Sequence, residues 1–126
     1  MPFIHIKSLP FEKPIDIPTA VTNISNDFLR RNGVAIEHIT VTWEFMYPGH
    51  YAVAGVVAEH QPTATHPVLV DLLAPDFNSQ DQVIKMLQAA ADSISKHVNI
   101  PIGNIFINFH QAHAGMVFDA GEVVQW

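Results

Sequence analysis

The sequence predicts an α+β domain: two tandem β-α-β units forming a four-stranded mixed sheet with both helices on one face. Three observations carry that prediction. Short apolar runs with period-two alternation are interleaved with two amphipathic stretches of helical period. The chain repeats itself: Pro2-Phe3-Ile4-His5-Ile6 matches Pro67-Val68-Leu69-Val70-Asp71, 65 residues on, and Ile36 to Trp43 matches Ile102 to Phe109, 66 residues on. Each copy reads strand–helix–strand, and right-handed crossovers make the strands within a copy parallel. At 126 residues the chain is one domain, with repeat halves of about 2–57 and 67–126.

The first strand occupies the start of the chain and ends near Ser8. The two prolines of the loop Leu9 to Pro14 exclude regular structure. Asp16 stands at a helix N-cap with Pro18 in the tolerated first turn. Ile17, Val21, Ile24, Phe28 and Leu29 form one apolar face, Arg30 and Arg31 suit the carbonyl end, and Gly33 stops the helix. A second strand is expected from about Glu37 to Phe45, with Ile39, Val41, Trp43 and Phe45 on one face. Tyr47 to His50 is a turn, Tyr51 to Val57 a short returning strand, and Glu59 to His66 a connecting loop.

In the second copy, Val68 to Leu73 reads as a buried strand broken by Ala74 to Asn78. Ser79 and Gln82 form a capping-box pattern, and Val83, Leu87, Ala90, Ala91, Ile94 and Val98 line one helical face up to Pro101 and Gly103. Ile105, Ile107 and Phe109 then alternate with Phe106, Asn108 and His110. The tail, Met116 to Trp126, holds two short β-prone pieces around Gly121.

Composition bounds the function. Net charge is −6 with six Lys and Arg, and the only basic pair is Arg30-Arg31, which argues against nucleic acid. There is no cysteine, hence no disulfide and no thiolate chemistry. Neither a signal peptide nor an apolar run of membrane-spanning length is present, so no membrane partner is expected and the default is a cytoplasmic protein. Hydrophobic residues make up 48% and charged residues 14%, lean for a small monomer, so other subunits are expected to cover some apolar surface.

The candidate catalytic residue is Pro2. A small residue after the initiator Met permits removal of Met1, leaving a secondary amine on a rigid ring. The strand behind it fixes that amine at the edge of a core. Apolar surroundings disfavour the charged amine and lower its pKa from the α-amino range of about 7.7–8.0, towards what proton abstraction beside a carbonyl requires. The alternative is a proline merely tolerated at the first residue of a strand.

The repeat, the order of elements and Pro2 together resemble the tautomerase superfamily. Ile39 to Gly55 is similar to the second strand and turn of 4-oxalocrotonate tautomerase, and Ile105 to Phe109 to the fourth strand of macrophage migration inhibitory factor. The resemblance implies a homotrimer with a catalytic amino-terminal proline and no cofactor, acting on a small-molecule keto or enol acid. Pro2 matches that proline and Asn108 a substrate-pocket asparagine. Phe106 falls where the inhibitory-factor branch has a tyrosine, Val34 where it has a pocket lysine, and Tyr51 where 4-oxalocrotonate tautomerase has a phenylalanine. Glu12 and Thr40 replace that enzyme's two substrate-binding arginines, so the cationic carboxylate clamps are missing.

Asn108 would hydrogen-bond a carbonyl or enolate oxygen, or equally cap a strand end, and Phe106 of an adjacent subunit would line the pocket. Tyr51 and Trp43 would be pocket walls or, as isolated strand aromatics, core or interface residues. Eight histidines invite a metal reading, but His110 and His113 project to opposite faces and no helical His pair accompanies a carboxylate, so no metal is expected. His5 would tune the base or sit between strands. Glu44 and Asp119 would activate a water or remain solvated.

The expected activity is cofactor-independent keto–enol or double-bond isomerisation with Pro2 as general base. The alternatives are a proline-dependent decarboxylase, dehalogenase or hydratase, and a non-catalytic binding trimer on the same scaffold.

Overall fold

Alternation along the first strand sets the architecture. Ile4, Ile6 and Ser8 are fully buried, whereas Phe3, His5 and Lys7 between them are not, the signature of a strand with one covered face. A computed structural model describes every residue from Met1 to Trp126. In chain order its elements are β1 (Phe3–Ser8), α1 (Ile17–Asn32), β2 (Thr40–Phe45), β3 (Ala52–Val53), β4 (Val56–Val57), β5 (Val68–Pro75), α2 (Gln80–Val98), β6 (Ile105–Ala112), β7 (Val117–Asp119) and β8 (Glu122–Val124).

The four-stranded sheet has the order β2-β1-β5-β6. β2 is parallel to β1, β6 is parallel to β5, and the two halves meet antiparallel along β1 and β5. The fold is therefore the expected α+β arrangement of two β-α-β units. On the helix side, the register aligns Val41, Ile4, Leu72 and Phe109 across the strands, and Trp43, Ile6, Val70 and Ile107 beside them. Ala20, Ile24 and Phe28 of α1 and Val83, Met86 and Ile94 of α2 pack onto these rows to close one core.

Local chemistry accounts for the helix ends. Asp16 accepts the Thr19 N–H at 3.1 Å, and Gly33, at φ 65°, returns its N–H to the Leu29 carbonyl at 2.9 Å. At α2 the capping box is closed: Ser79 N–H donates to Gln82 Oε1 at 2.7 Å and Gln82 N–H to Ser79 Oγ at 3.2 Å. Neither helix is long and apolar enough to cross a membrane.

Three boundaries differ from expectation. Residues Ile36–His38 form a 3₁₀ turn, with His38 N–H on the Ala35 carbonyl at 3.0 Å, so β2 begins only at Thr40. The same turn recurs at Ile102–Asn104. Tyr51 to Val57 is a hairpin and not one strand, because Ala54 and Gly55 both take positive φ, 52° and 78°. Ala120 and Gly121 do the same in the tail, at 50° and 87°, so the repeat extends through both hairpins. Finally, β5 runs on to Pro75, whose missing donor is tolerated at the last rung.

The sheet face away from the helices is open. It carries apolar Phe3, Leu69, Leu73 and Phe106 among polar groups that pair across strands. His5 contacts Thr42 at 2.5 Å and Glu44 at 3.4 Å, and His110 contacts Asp71 at 3.0 Å.

Candidate active site at the amino terminus

Pro2 is buried at the head of β1, and its carbonyl accepts the Thr40 N–H at 3.0 Å, which ties the terminus to β2. Beside it lies a cavity of about 310 Å³ lined by residues far apart in the chain. Pro2 immediately precedes β1, and Ala74 and Pro75 end β5. Val34 and His38 come after α1, Asn78 precedes the N-cap of α2, and Met86 lies in the first half of that helix. The β7–β8 hairpin and the last residues of the chain add Val117, Asp119, Val124 and Trp126.

The hairpin is tied down through Asp76. Its carboxylate receives the Trp126 indole N–H at 2.9 Å and His113 Nδ1 at 3.3 Å. Burial opposes its charge, but hydrogen bonds from His113, the Ala114 N–H and Trp126 outweigh that and hold its pKa below the usual carboxylate range. Phe77 meets the Trp126 ring edge to face, centroids 6.0 Å apart, so two aromatics border the cavity.

Met1 lines the same cavity. Burial pushes the Met1 amine below the ordinary α-amino value, and the negative charge of Asp119 opposes that shift. Asp119 Oδ1 is engaged by the Ala120 N–H at 2.9 Å.

Of the residues singled out in the sequence, Pro2 and Asp119 come together here, and Val34 lines the same cavity. Asn108 and Phe106 project from β6 on the open face, where Asn108 Nδ2 lies 3.2 Å from His110 Nε2; within one chain they do not line the cavity. Trp43 lies on the helix side of β2, donating to Ser8 Oγ at 3.1 Å and packing on Phe11. Tyr51 donates its hydroxyl to the Pro67 carbonyl at 2.8 Å and stacks edge-on against His66, so it sits at the repeat counterpart of Pro2. Burial raises the pKa of its phenol.

Sequence reasoning missed His38, Asn78, Met86 and Trp126 as lining residues. Two signals pointed towards them: Val34, already matched to a pocket position, and the Ala-Gly pair repeated at 54 and 120 that marks a second hairpin. No group of three or more His, Cys, Asp or Glu side chains is arranged to hold a metal ion.

No protein-family model and no curated protein matches this sequence. Solved structures do. A Pt0534 structure, inactivated by 2-oxo-3-pentynoate, superposes with a TM-score of 0.83 at 13% identity, covering 98% of this chain and 95% of that one. A fused 4-OT symmetric trimer superposes at 0.82 and 10% identity, with the same coverage of both chains. The chain has the tautomerase-superfamily fold. The macrophage migration inhibitory factor of Oncomelania hupensis shares this tautomerase fold, with a TM-score of 0.74 and 17% identity over 98% of this chain and 83% of that one. Likeness at these identities extends to the fold and leaves the chemistry to be argued from the cavity of this chain.

Proposed function

We propose that this tautomerase-fold protein is a cofactor-independent tautomerase, with the amine of Pro2, freed by removal of Met1, as its general base. The observation that carries the reading is the burial of Pro2 at the head of β1 beside a largely apolar cavity, surroundings that would disfavour the charged form of its amine. The neutral amine would take a proton from the carbon beside a carbonyl. The C–H electron pair would move into the new carbon–carbon double bond and the carbonyl π pair onto oxygen. The resulting ammonium would return the proton at oxygen or at another carbon. His38 and Asn78 are the polar side chains available in the chain's own cavity to hold the developing oxyanion. Asn108 and Phe106 would join them from a neighbouring subunit of a homotrimer, a reading supported by the trimeric fused 4-OT neighbours.

Asp119 favours a second reading. A carboxylate sharing the cavity raises the amine's affinity for a proton and would activate a water, the arrangement a hydratase or decarboxylase would use.

Exchange of the α-hydrogens of an uncharged arylacetone for deuterium, followed by NMR, tests the proposal. Pro2→Ala is expected to lower the rate at least about 10²-fold. Equal rates in the two proteins, or an intact mass that retains Met1, would overturn it.

A further inference from the structure

The six Lys and Arg side chains are all accounted for, and none lines the cavity, whose one amine is that of the chain terminus. Lys7 stands on the open sheet face opposite Glu44. Arg30 pairs with Asp27, Arg31 pairs with Asp92 at 2.6 Å, and Lys96 joins them in the groove between α1 and α2. Lys13 and Lys85 are exposed to solvent. The groups the cavity does hold are one carboxylate, Asp119, the neutral amide of Asn78, the imidazole of His38 and a majority of apolar side chains. Phe106 and Asn108, the residues assigned to an adjacent subunit, add no charge.

An anion entering such a space gives up water without gaining a fixed cation and meets a carboxylate of its own sign. An uncharged carbonyl compound meets neither penalty. Its oxygen finds His38 and Asn78, and an apolar substituent finds Val34, Met86 and the Phe77–Trp126 pair. We infer that the cavity selects an uncharged enolisable carbonyl compound bearing an apolar substituent, and that Asp119 is the residue that turns anions away. This departs from the keto or enol acid expected from the sequence, and it rests on the reading of Pro2 as an amine facing the cavity.

Two alkynyl ketones, one uncharged and one anionic, test it without the natural substrate. In each, the Pro2 nitrogen attacks the β-carbon of the alkyne, an N–C bond forms as one alkyne π bond breaks, and the ammonium proton passes to the α-carbon. The uncharged reagent is but-3-yn-2-one, and the anionic one is 2-oxo-3-pentynoate. Labelling rates at Pro2 are measured by mass spectrometry and divided by those of a free peptide of sequence Pro-Phe-Ile-His. The protein is expected to favour the uncharged reagent over the anionic one by at least about tenfold relative to the peptide. Asp119→Asn should bring that ratio towards the peptide's, while Asp119→Glu should keep it. A protein ratio equal to the peptide's, a preference for the anion, or a ratio that Asp119→Asn leaves unmoved overturns the inference while Pro2 labelling still stands. No labelling of Pro2 by either reagent overturns the proposed function and this inference with it.

Discussion

Asp27 is the side chain on which the two helices meet. Its Oδ2 lies 2.7 Å from both Ser93 Oγ and His97 Nε2 of α2, and Arg30 pairs with it along α1. Burial opposes its charge, but the hydrogen bonds from Ser93 and His97, together with the charges of His97 and Arg30, hold its pKa below the usual carboxylate value. A carboxyl with a depressed folded-state pKa stabilises fully above its unfolded value of about 3.9, and that contribution is lost as pH falls through the folded value. Asp27→Asn is therefore expected to cost about 1–3 kcal/mol at neutral pH by urea denaturation. The deficit should shrink in acid, as pH falls below the unfolded value of about 3.9 and the wild-type carboxyl takes up its proton. A deficit of the same size at both pH values would show that the charge is not what joins the helices. No pattern in the sequence marked this residue, because Asp27 and Ser93 are brought together only when two helices from different repeats lie side by side.

The elements that matter most to the site are the Ile36–His38 3₁₀ turn and the tail hairpin, and these were the least legible in the sequence. Helical periodicity and caps at Asp16 and Ser79 specify α1 and α2 because helix signals are local and repeat over many residues. A hairpin of two or three residues per strand has almost no periodicity to read, and only its Ala-Gly turn gives it away. Gly121 sits at φ 87° with open space where a Cβ would be, so substitution there strains the backbone alone. Gly121→Val should destabilise by about 1–2 kcal/mol. It should also slow labelling of Pro2, since β7 and β8 line the cavity. Gly55→Val imposes the same strain on the other hairpin, at φ 78°, and should leave that labelling unchanged. Equal effects of the two variants on labelling would mean that the tail hairpin does not shape the site.

At the scale of the whole molecule, the two repeats are alike in backbone and unlike in what they surround. Pro2 lines a cavity, whereas its counterpart Pro67 is half-buried and its carbonyl accepts the Tyr51 hydroxyl beside the buried His66, whose Nε2 lies 2.7 Å from the Val56 carbonyl. The open sheet face also belongs to this scale. We expect it to lie at a subunit contact, so that light scattering gives three times the chain mass. Phe106, 57% exposed on β6, should then be sensitive: Phe106→Asp buries a charge against the neighbour and should dissociate the assembly. A monomeric wild type would refute that account of the face.

The sequence by itself determined the β-α-β repeat, the helix caps, the alternating faces of β2 and β6 and the prominence of Pro2, because each is written in local periodicity or in a comparison of two stretches of chain. The tertiary structure decided which residues share a cavity with Pro2. Val34, His38, Met86, Asp119 and Trp126 converge from separate parts of the chain. Residues brought together across such separations leave no local pattern, and only the packing of helix ends and the tail hairpin onto the sheet selects them.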